Sequence, residues 1–164
     1  RPTIGVQDFD LNVECNDQTI SLLLCDTAGQ EKWGKIAEFY IRDSDIIVVC
    51  FDPKLADAEN QLKFWKNIAD KHHSTEKQIL VSTKSDLWYQ NKPLPKLVEN
   101  PDELPKRFGV FTYFETSSKS GSNVNDLKNG ICQLFLNNQR SEKYVDNQTV
   151  DINNGANTEK KCSC

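Results

Sequence analysis

Asp26-Thr27-Ala28-Gly29-Gln30-Glu31 comes directly after the apolar run Leu22-Leu23-Leu24-Cys25. The apolar run reads as a strand buried on both faces, as parallel sheets require. The six residues after it read as a loop at the strand's carboxyl end, where open α/β sheets place their ligands. The residue types there suit phosphate chemistry. Asp26 can hold a hydrated Mg²⁺, Gly29 lets the backbone approach a phosphate closely, and Gln30 can orient an attacking water. Singly, each is an ordinary member of a polar turn; together, at a strand end, they form a candidate site.

The flanking sequence supplies elements to position them. Phe9 to Cys15 and Thr19 to Cys25 are strand-like, and Cys15-Asn16-Asp17-Gln18 gives turn chemistry between them, so a hairpin is expected. Lys32 to Arg42 is irregular, then helical. Ile46 to Phe51 is a second buried strand. Ala56 to Lys71 places Leu62, Trp65, Ile68 and Ala69 at helical spacing, the crossover that parallel strands need. His72-His73 at its end reads as a solvated helix terminus suited to the macrodipole; no third ligand lies nearby, so no metal site is expected. Gln78 to Ser82 is a third buried strand, running into Thr83-Lys84-Ser85-Asp86. A proline-punctuated stretch from Trp88 to Pro105 leads to a short helix around Asp102 to Phe108, stopped by Gly109. Val110 to Phe114 is a fourth apolar run, ending in Glu115-Thr116-Ser117-Ser118-Lys119. Asn125 to Asn138 carries Leu127, Ile131, Leu134 and Phe135 on one face of an amphipathic helix. After Gln139 the chain is polar and Asn-rich, and disorder is expected. The expected organisation is one domain over 1–139 and a tail over 140–164.

The totals agree with one domain. The 164 residues suffice for a single core. A net charge of −4 gives no basis for nucleic-acid binding. No apolar run approaches the roughly 18 residues that span a bilayer. The six cysteines match no common zinc spacing. Cys25 and Cys50 lie in strand-like runs and Cys132 in a helical one, so buried free thiols are expected. The chain has no Met and begins with Arg1, for which a partial sequence is the simplest account.

Asp-Thr-Ala-Gly-Gln-Glu at a strand end resembles the switch II signature of the Ras superfamily of small GTPases. Lys32-Trp33 and the pair Phe39-Tyr40 resemble its Rab branch. Pro2-Thr3-Ile4-Gly5-Val6 resembles the switch I segment. The resemblance implies that Thr3 ligates Mg²⁺ and touches the γ-phosphate of GTP, that Asp26 holds the Mg²⁺ through water, that Gly29 meets the γ-phosphate and that Gln30 is the catalytic, water-positioning residue. Thr83-Lys84-Ser85-Asp86 resembles the guanine-reading motif, with Thr83 where Asn is usual. Two acceptor oxygens on Asp86 suit the two adjacent donors on guanine's Watson–Crick edge, which adenine lacks. Lys84 can lay its stem along the base plane. A hydroxyl at Thr83 makes fewer bonds than an amide. Ser117-Ser118-Lys119 resembles the last base-binding loop, with the Ser118 N–H on guanine O6 and Lys119 flanking the base. Trp33 stands where Rab proteins present an aromatic residue to effectors. The terminal Cys162-Ser163-Cys164 resembles a double geranylgeranylation signal, and two lipid chains hold a membrane stably where one does not.

The implied fold is α/β: a Ras-like P-loop NTPase three-layer domain with a mostly parallel sheet. It is expected to be truncated at its N-terminus, because no Gly-x-x-x-x-Gly-Lys-Ser/Thr occurs. The family's first strand, phosphate loop and first helix would account for about 35 further residues, a length prior only. The absent strand's neighbours would be the runs ending at Cys25 and Phe51, whose facing ladder hydrogen bonds would go unmade. The implied function is a Rab-type, GTP-hydrolysing switch in vesicle trafficking. Its partners would be guanine nucleotide, an exchange factor, a GTPase-activating protein, effectors at the switches, and a membrane reached through geranylgeranyl groups. It would cycle between the cytosol and the cytoplasmic face of an intracellular membrane. This chain alone is expected to be inactive. Two alternatives are a GTPase-like interaction scaffold that neither binds nor hydrolyses nucleotide, consistent with Thr83 and the missing phosphate loop, and an unrelated doubly wound domain such as a flavodoxin-like electron carrier.

Overall fold

The computed structural model describes residue 3, residues 5–88 and residues 94–154, with Glu31 and residues 140–154 described by backbone alone. The expected hairpin forms from β1 (Val6–Cys15) and β2 (Gln18–Thr27). Asn16 (φ 52°) and Asp17 (φ 58°) take left-handed backbone at its turn, the geometry that matches the twist of two-residue hairpins and suits Asn and Asp. The antiparallel register runs without a slip from Val6↔Thr27 to Cys15↔Gln18. A single turn at Glu31–Trp33 leads into α1 (Gly34–Arg42).

The second sheet is parallel. Its strands are β3 (Ile47–Phe51), β4 (Gln78–Ser82) and β5 (Thr112–Glu115), in spatial order β3-β4-β5. The crossover from β3 to β4 is α2 (Ala58–His72). The crossover from β4 to β5 carries the short α3 (Ser85–Trp88) and α4 (Leu104–Phe108). Gly109 ends α4 with left-handed backbone (φ 58°), a conformation that glycine takes without a Cβ penalty. β4 is buried along its whole length. One face of the sheet packs Val49, Phe51 and Leu80 against Leu62 and Ala69 of α2 and against Leu104 and Phe108 of α4. The other face packs Ile79 and Val81 against Leu134 of α5 (Val124–Asn154). The same helix meets the hairpin through Cys132, which clusters with Val13, Cys15 and Ile20.

Three expectations need correction. First, the sheet is split: among the described residues β2 pairs only with β1 and β3 only with β4. Leu23 is therefore 64% exposed and Leu24 38%, and Cys25 and Cys50 are exposed, whereas Cys15 and Cys132 are buried. The apolar run before Asp26 was expected to be sealed on both faces; among the described residues no strand pairs along its other edge, so its composition does not yield burial. Second, α5 continues to Asn154, past the limit expected at Gln139; no Gly or Pro interrupts the chain between Gly130 and Gly155. Third, His72 and His73 are not a solvated end. His72 Nε2 lies 3.1 Å from Glu38 Oε1, and His73 Nε2 lies 2.6 Å from the Ile41 carbonyl oxygen. Both fasten the end of α2 to α1.

The split predicts unequal costs for two similar truncations. Leu80→Ala removes a fully buried side chain and should cost about 2–5 kcal/mol. Leu23→Ala should stay within about 0.5 kcal/mol. Urea unfolding of the two variants measures both.

Candidate functional site

Parallel pairing sets the carboxyl ends of β3, β4 and β5 side by side: Phe51 pairs with Ser82, and Ser82 with Glu115. The segments that leave these ends are Asp52-Pro53, Thr83 to Asp86 and Thr116 to Lys119. Backbone bonds stitch them together. Thr83 N–H donates to the Phe51 carbonyl (2.8 Å), Thr116 N–H to the Ser82 carbonyl (2.8 Å) and Ser85 N–H to the Thr116 carbonyl (3.0 Å). β2 ends at the same edge: Asp26 and Thr27 line one cavity together with Val49 and Cys50 of β3.

Two polar clusters sit on this edge. In the first, Thr3 Oγ1 donates to Asp26 Oδ2 at 2.7 Å, and Ala28 N–H donates to the Gly5 carbonyl at 2.9 Å. Gly29 and Gln30 come next on the same loop, both exposed; a Cβ at Gly29 would meet nothing within 4 Å. In the second, Ser117 Oγ donates to Asp86 Oδ1 at 2.6 Å. Lys119 Nζ lies 3.9 Å from Asp86 Oδ2, and Ser118 beside it is exposed. Ser117 is fully buried, so its hydroxyl fixes the carboxylate from inside the loop. Lys84 has left-handed backbone (φ 60°), unusual for a side chain with a Cβ, and its Nζ pairs with Asp52 Oδ2 at 3.0 Å. Thr83 turns its hydroxyl to the Phe51 carbonyl (3.1 Å), so this side chain serves the sheet.

The sequence therefore located both clusters but not their supports. It assigned nothing to Asp52, although this acid directly follows a buried strand. It gave no role to Trp88, which is 1% exposed and donates from Nε1 to the Thr83 carbonyl at 3.1 Å. Asn123, whose Nδ2 donates to the Glu115 carbonyl at 2.8 Å, carried no motif signal. Cys162 and Cys164 lie outside the described residues.

The Ras family model matches residues 1–137. The chain belongs to the Ras family. As a Ras-family chain it is 28% identical, over 99% of its length and 76% of the relative's, to the Ras-related protein SEC4 of Saccharomyces cerevisiae. It is 26% identical, over its whole length and 81% of the relative's, to the Ras-related protein Rab7 of Prunus armeniaca. These similarities make it a Rab-like small GTPase of the superfamily. Within that Ras-family fold, the donor set suits guanine nucleotide unevenly. Asp86, braced by Ser117, carries acceptor oxygens that would suit the donor edge of a base. Thr3 and Asp26 bring two hard oxygens together, which suits Mg²⁺. Among the described residues no group of three or more His, Cys, Asp or Glu could hold a metal, so this pair needs oxygens from elsewhere to complete a shell.

Beneath the base-side cluster, the Tyr113 hydroxyl lies 2.6 Å from Ser82 Oγ and donates to Glu115 Oε1 at 3.3 Å. Burial raises the Glu115 carboxyl above its ordinary range, against the lowering effect of the Tyr113 bond. A raised native value means that the folded state binds more protons, so stability falls as pH rises through the interval from the unfolded value to the raised one. Glu115→Gln should therefore raise the unfolding midpoint at pH 7. The gain should vanish below the ordinary carboxylate range, where Glu115 is neutral in both states. Thermal unfolding at the two pH values checks the sign.

Proposed function

We propose that the chain is a Rab-type small GTP-binding protein, a GTP-hydrolysing switch in vesicle trafficking. The observation that carries this reading is the Asp86 carboxylate fixed by Ser117 at 2.6 Å, on the same edge as the Thr3–Asp26 pair. The Asp86 oxygens accept the two adjacent donors of guanine, and the Ser118 N–H serves the O6 acceptor. Lys84 and Lys119 flank the base, while Thr83 secures the loop to β3. Thr3, Asp26 and Gly29 face the phosphate end, and Gln30 orients water for attack. Bound Mg²⁺ supplies positive charge that offsets the phosphates. Thr3 and Gly29 lie on separate segments, so loss of the γ-phosphate releases both and changes the surface read by effectors, an exchange factor and a GTPase-activating protein. Trp33, partly buried under the Lys32 ammonium 5.5 Å from its ring centroid, belongs to that surface.

No helix among the described residues is long and apolar enough to cross a membrane. We assign membrane attachment to geranylgeranyl groups on Cys162 and Cys164, at the cytoplasmic face of an intracellular membrane.

The test is a titration with fluorescent guanine and adenine nucleotides. The product of the complete coding sequence should prefer guanine by at least about a hundredfold. Asp86→Asn should move the preference toward xanthine, because the new amide can donate to an oxo group where the carboxylate accepted from an amino group. Gln30→Leu should keep binding and lower the hydrolysis rate at least about tenfold. The 164-residue chain alone should show no micromolar affinity for GTP. Equal binding of guanine and adenine nucleotides, or none, by the complete product overturns the reading.

A further inference from the structure

Lys84 stands in a conformation that its own chemistry disfavours. Its φ is 60°, left-handed backbone in which a Cβ crowds the following carbonyl oxygen. Strain of this kind persists only where the surroundings hold it in place. The chain turns at Lys84 from the end of β4 into α3. Ser85 N–H thereby reaches the Thr116 carbonyl at 3.0 Å, and the Asp86 carboxylate comes back against Ser117. The front half of Thr83 is tied to the sheet, since its N–H and its hydroxyl both donate to the Phe51 carbonyl, at 2.8 and 3.1 Å. Neither bond restrains rotation about the bond from Thr83 Cα to its carbonyl carbon. Past that bond lies the rigid, planar peptide that joins Thr83 to Lys84. A half-turn of this plane would reverse the Thr83 carbonyl and carry Lys84 to negative φ, relieving its strain. Trp88 Nε1 donates to that carbonyl at 3.1 Å. An indole N–H can only donate. The ring that carries it is 1% exposed and packs in one cluster with Phe51, Leu62 and Val98, so the donor is rooted in the core. From the other side, Asp52 Oδ2 holds the Lys84 ammonium at 3.0 Å, while Oδ1 of the same carboxylate accepts the Lys54 N–H at 3.0 Å.

We propose that Trp88 is a positioning residue for guanine reading: its indole N–H latches the Thr83–Lys84 peptide in the orientation that sets Asp86 and Lys84 for the base. The inference rests on the nucleotide reading above. Trp88 acts through the Thr83 carbonyl and touches no nucleotide atom. Its bond restrains the half of Thr83 that the sheet leaves free, at a position whose own side chain is turned to Phe51. Without the N–H, the buried carbonyl loses its donor and the strain at Lys84 is no longer opposed. The peptide then turns over, Lys84 leaves the left-handed region, and Asp86 loses its register with the base. The fold itself persists where the ring still fills its place among Phe51, Leu62 and Val98.

The test uses the product of the complete coding sequence. Trp88 is replaced with 3-benzothienylalanine, the same bicycle with sulfur in place of the N–H. Trp88→Phe is the second donor-free variant, and 5-fluorotryptophan at the same position keeps the donor. Two quantities are read. The first needs no nucleotide: the strong NMR contact between the amide proton and Hα of Lys84 that a positive φ produces. The second is the ratio of affinities for GDP and IDP, whose hypoxanthine lacks the 2-amino group and so offers Asp86 one donor in place of two. Both donor-free variants should weaken the Lys84 signal, lower GDP affinity at least about tenfold and shrink the GDP-to-IDP ratio at least about threefold. The fluorinated protein should match the unsubstituted one in both. A merely structural tryptophan would lower the unfolding midpoint and leave the ratio of the folded protein unmoved. The proposal is overturned if the benzothienyl protein keeps either the Lys84 signal or the ratio while the unsubstituted protein prefers guanine. If the unsubstituted protein does not distinguish guanine from adenine nucleotides, the functional reading fails, and the guanine-reading role of Trp88 falls with it.

Discussion

The parallel pairing of β3, β4 and β5 is the constraint on which the candidate site depends. Each parallel strand must be followed by a return crossing before the next can pair. All three carboxyl ends consequently fall on one edge, and each strand hands over there to an irregular segment. β4 is the fixed member. It is hydrogen-bonded on both sides and buried on both faces, so the Thr83 to Asp86 segment leaves from the least movable strand of the molecule. The tie from Ser85 to Thr116 then carries the position of one loop to the next.

α5 solves the problem that the split creates. Among the described residues the two sheets share no strand pairing, yet one helix packs Leu134 against β4 and Cys132 against the hairpin. Its close approach to the parallel sheet passes through Gly130, where a Cβ would lie 2.6 Å from the ring of Phe114. A glycine inside a helix weakens it by about 1 kcal/mol relative to alanine; here the missing methyl is what lets the helix sit against β5. At the other side, the His73 bond to Ile41 and the His72 contact with Glu38 hold α1 to α2. The Glu38 carboxyl is kept below its usual range first by the His72 bond and then by the charge of Lys71.

The fold was legible where local chemistry decides. The Asn16-Asp17 turn, the strand Gln78 to Ser82, the stop at Gly109 and the crossover holding Leu62 and Ala69 were all readable, because turn preference and apolar period belong to the residues themselves. The Asp86 and Ser117 segments were likewise readable as strand-end loops. Burial of Leu23, Leu24, Cys25 and Cys50 was not readable, because an apolar run reports what a strand can bury and says nothing about whether a neighbour is present to cover it. The ties from Thr83 to Phe51 and from Trp88 to Thr83 end on backbone carbonyls, which every residue has, so no side-chain pattern marks them. The pairing of His72 and His73 with α1 depends on a packing angle between helices that periodicity does not encode.

The charges along the common edge have a consequence of their own. Among the described residues, Lys84 pairs with Asp52 at 3.0 Å, Lys119 lies 3.9 Å from Asp86, and Lys54 donates to the Leu87 carbonyl beside them, while Asp26 and Glu115 add two further acids. An edge rich in acids favours hydrogen-bond donors over anions. Under the proposed function, selectivity for a ring and the grip on a charged chain attached to it would therefore be carried by different groups, the first by the acids of these strand ends and the second by cations.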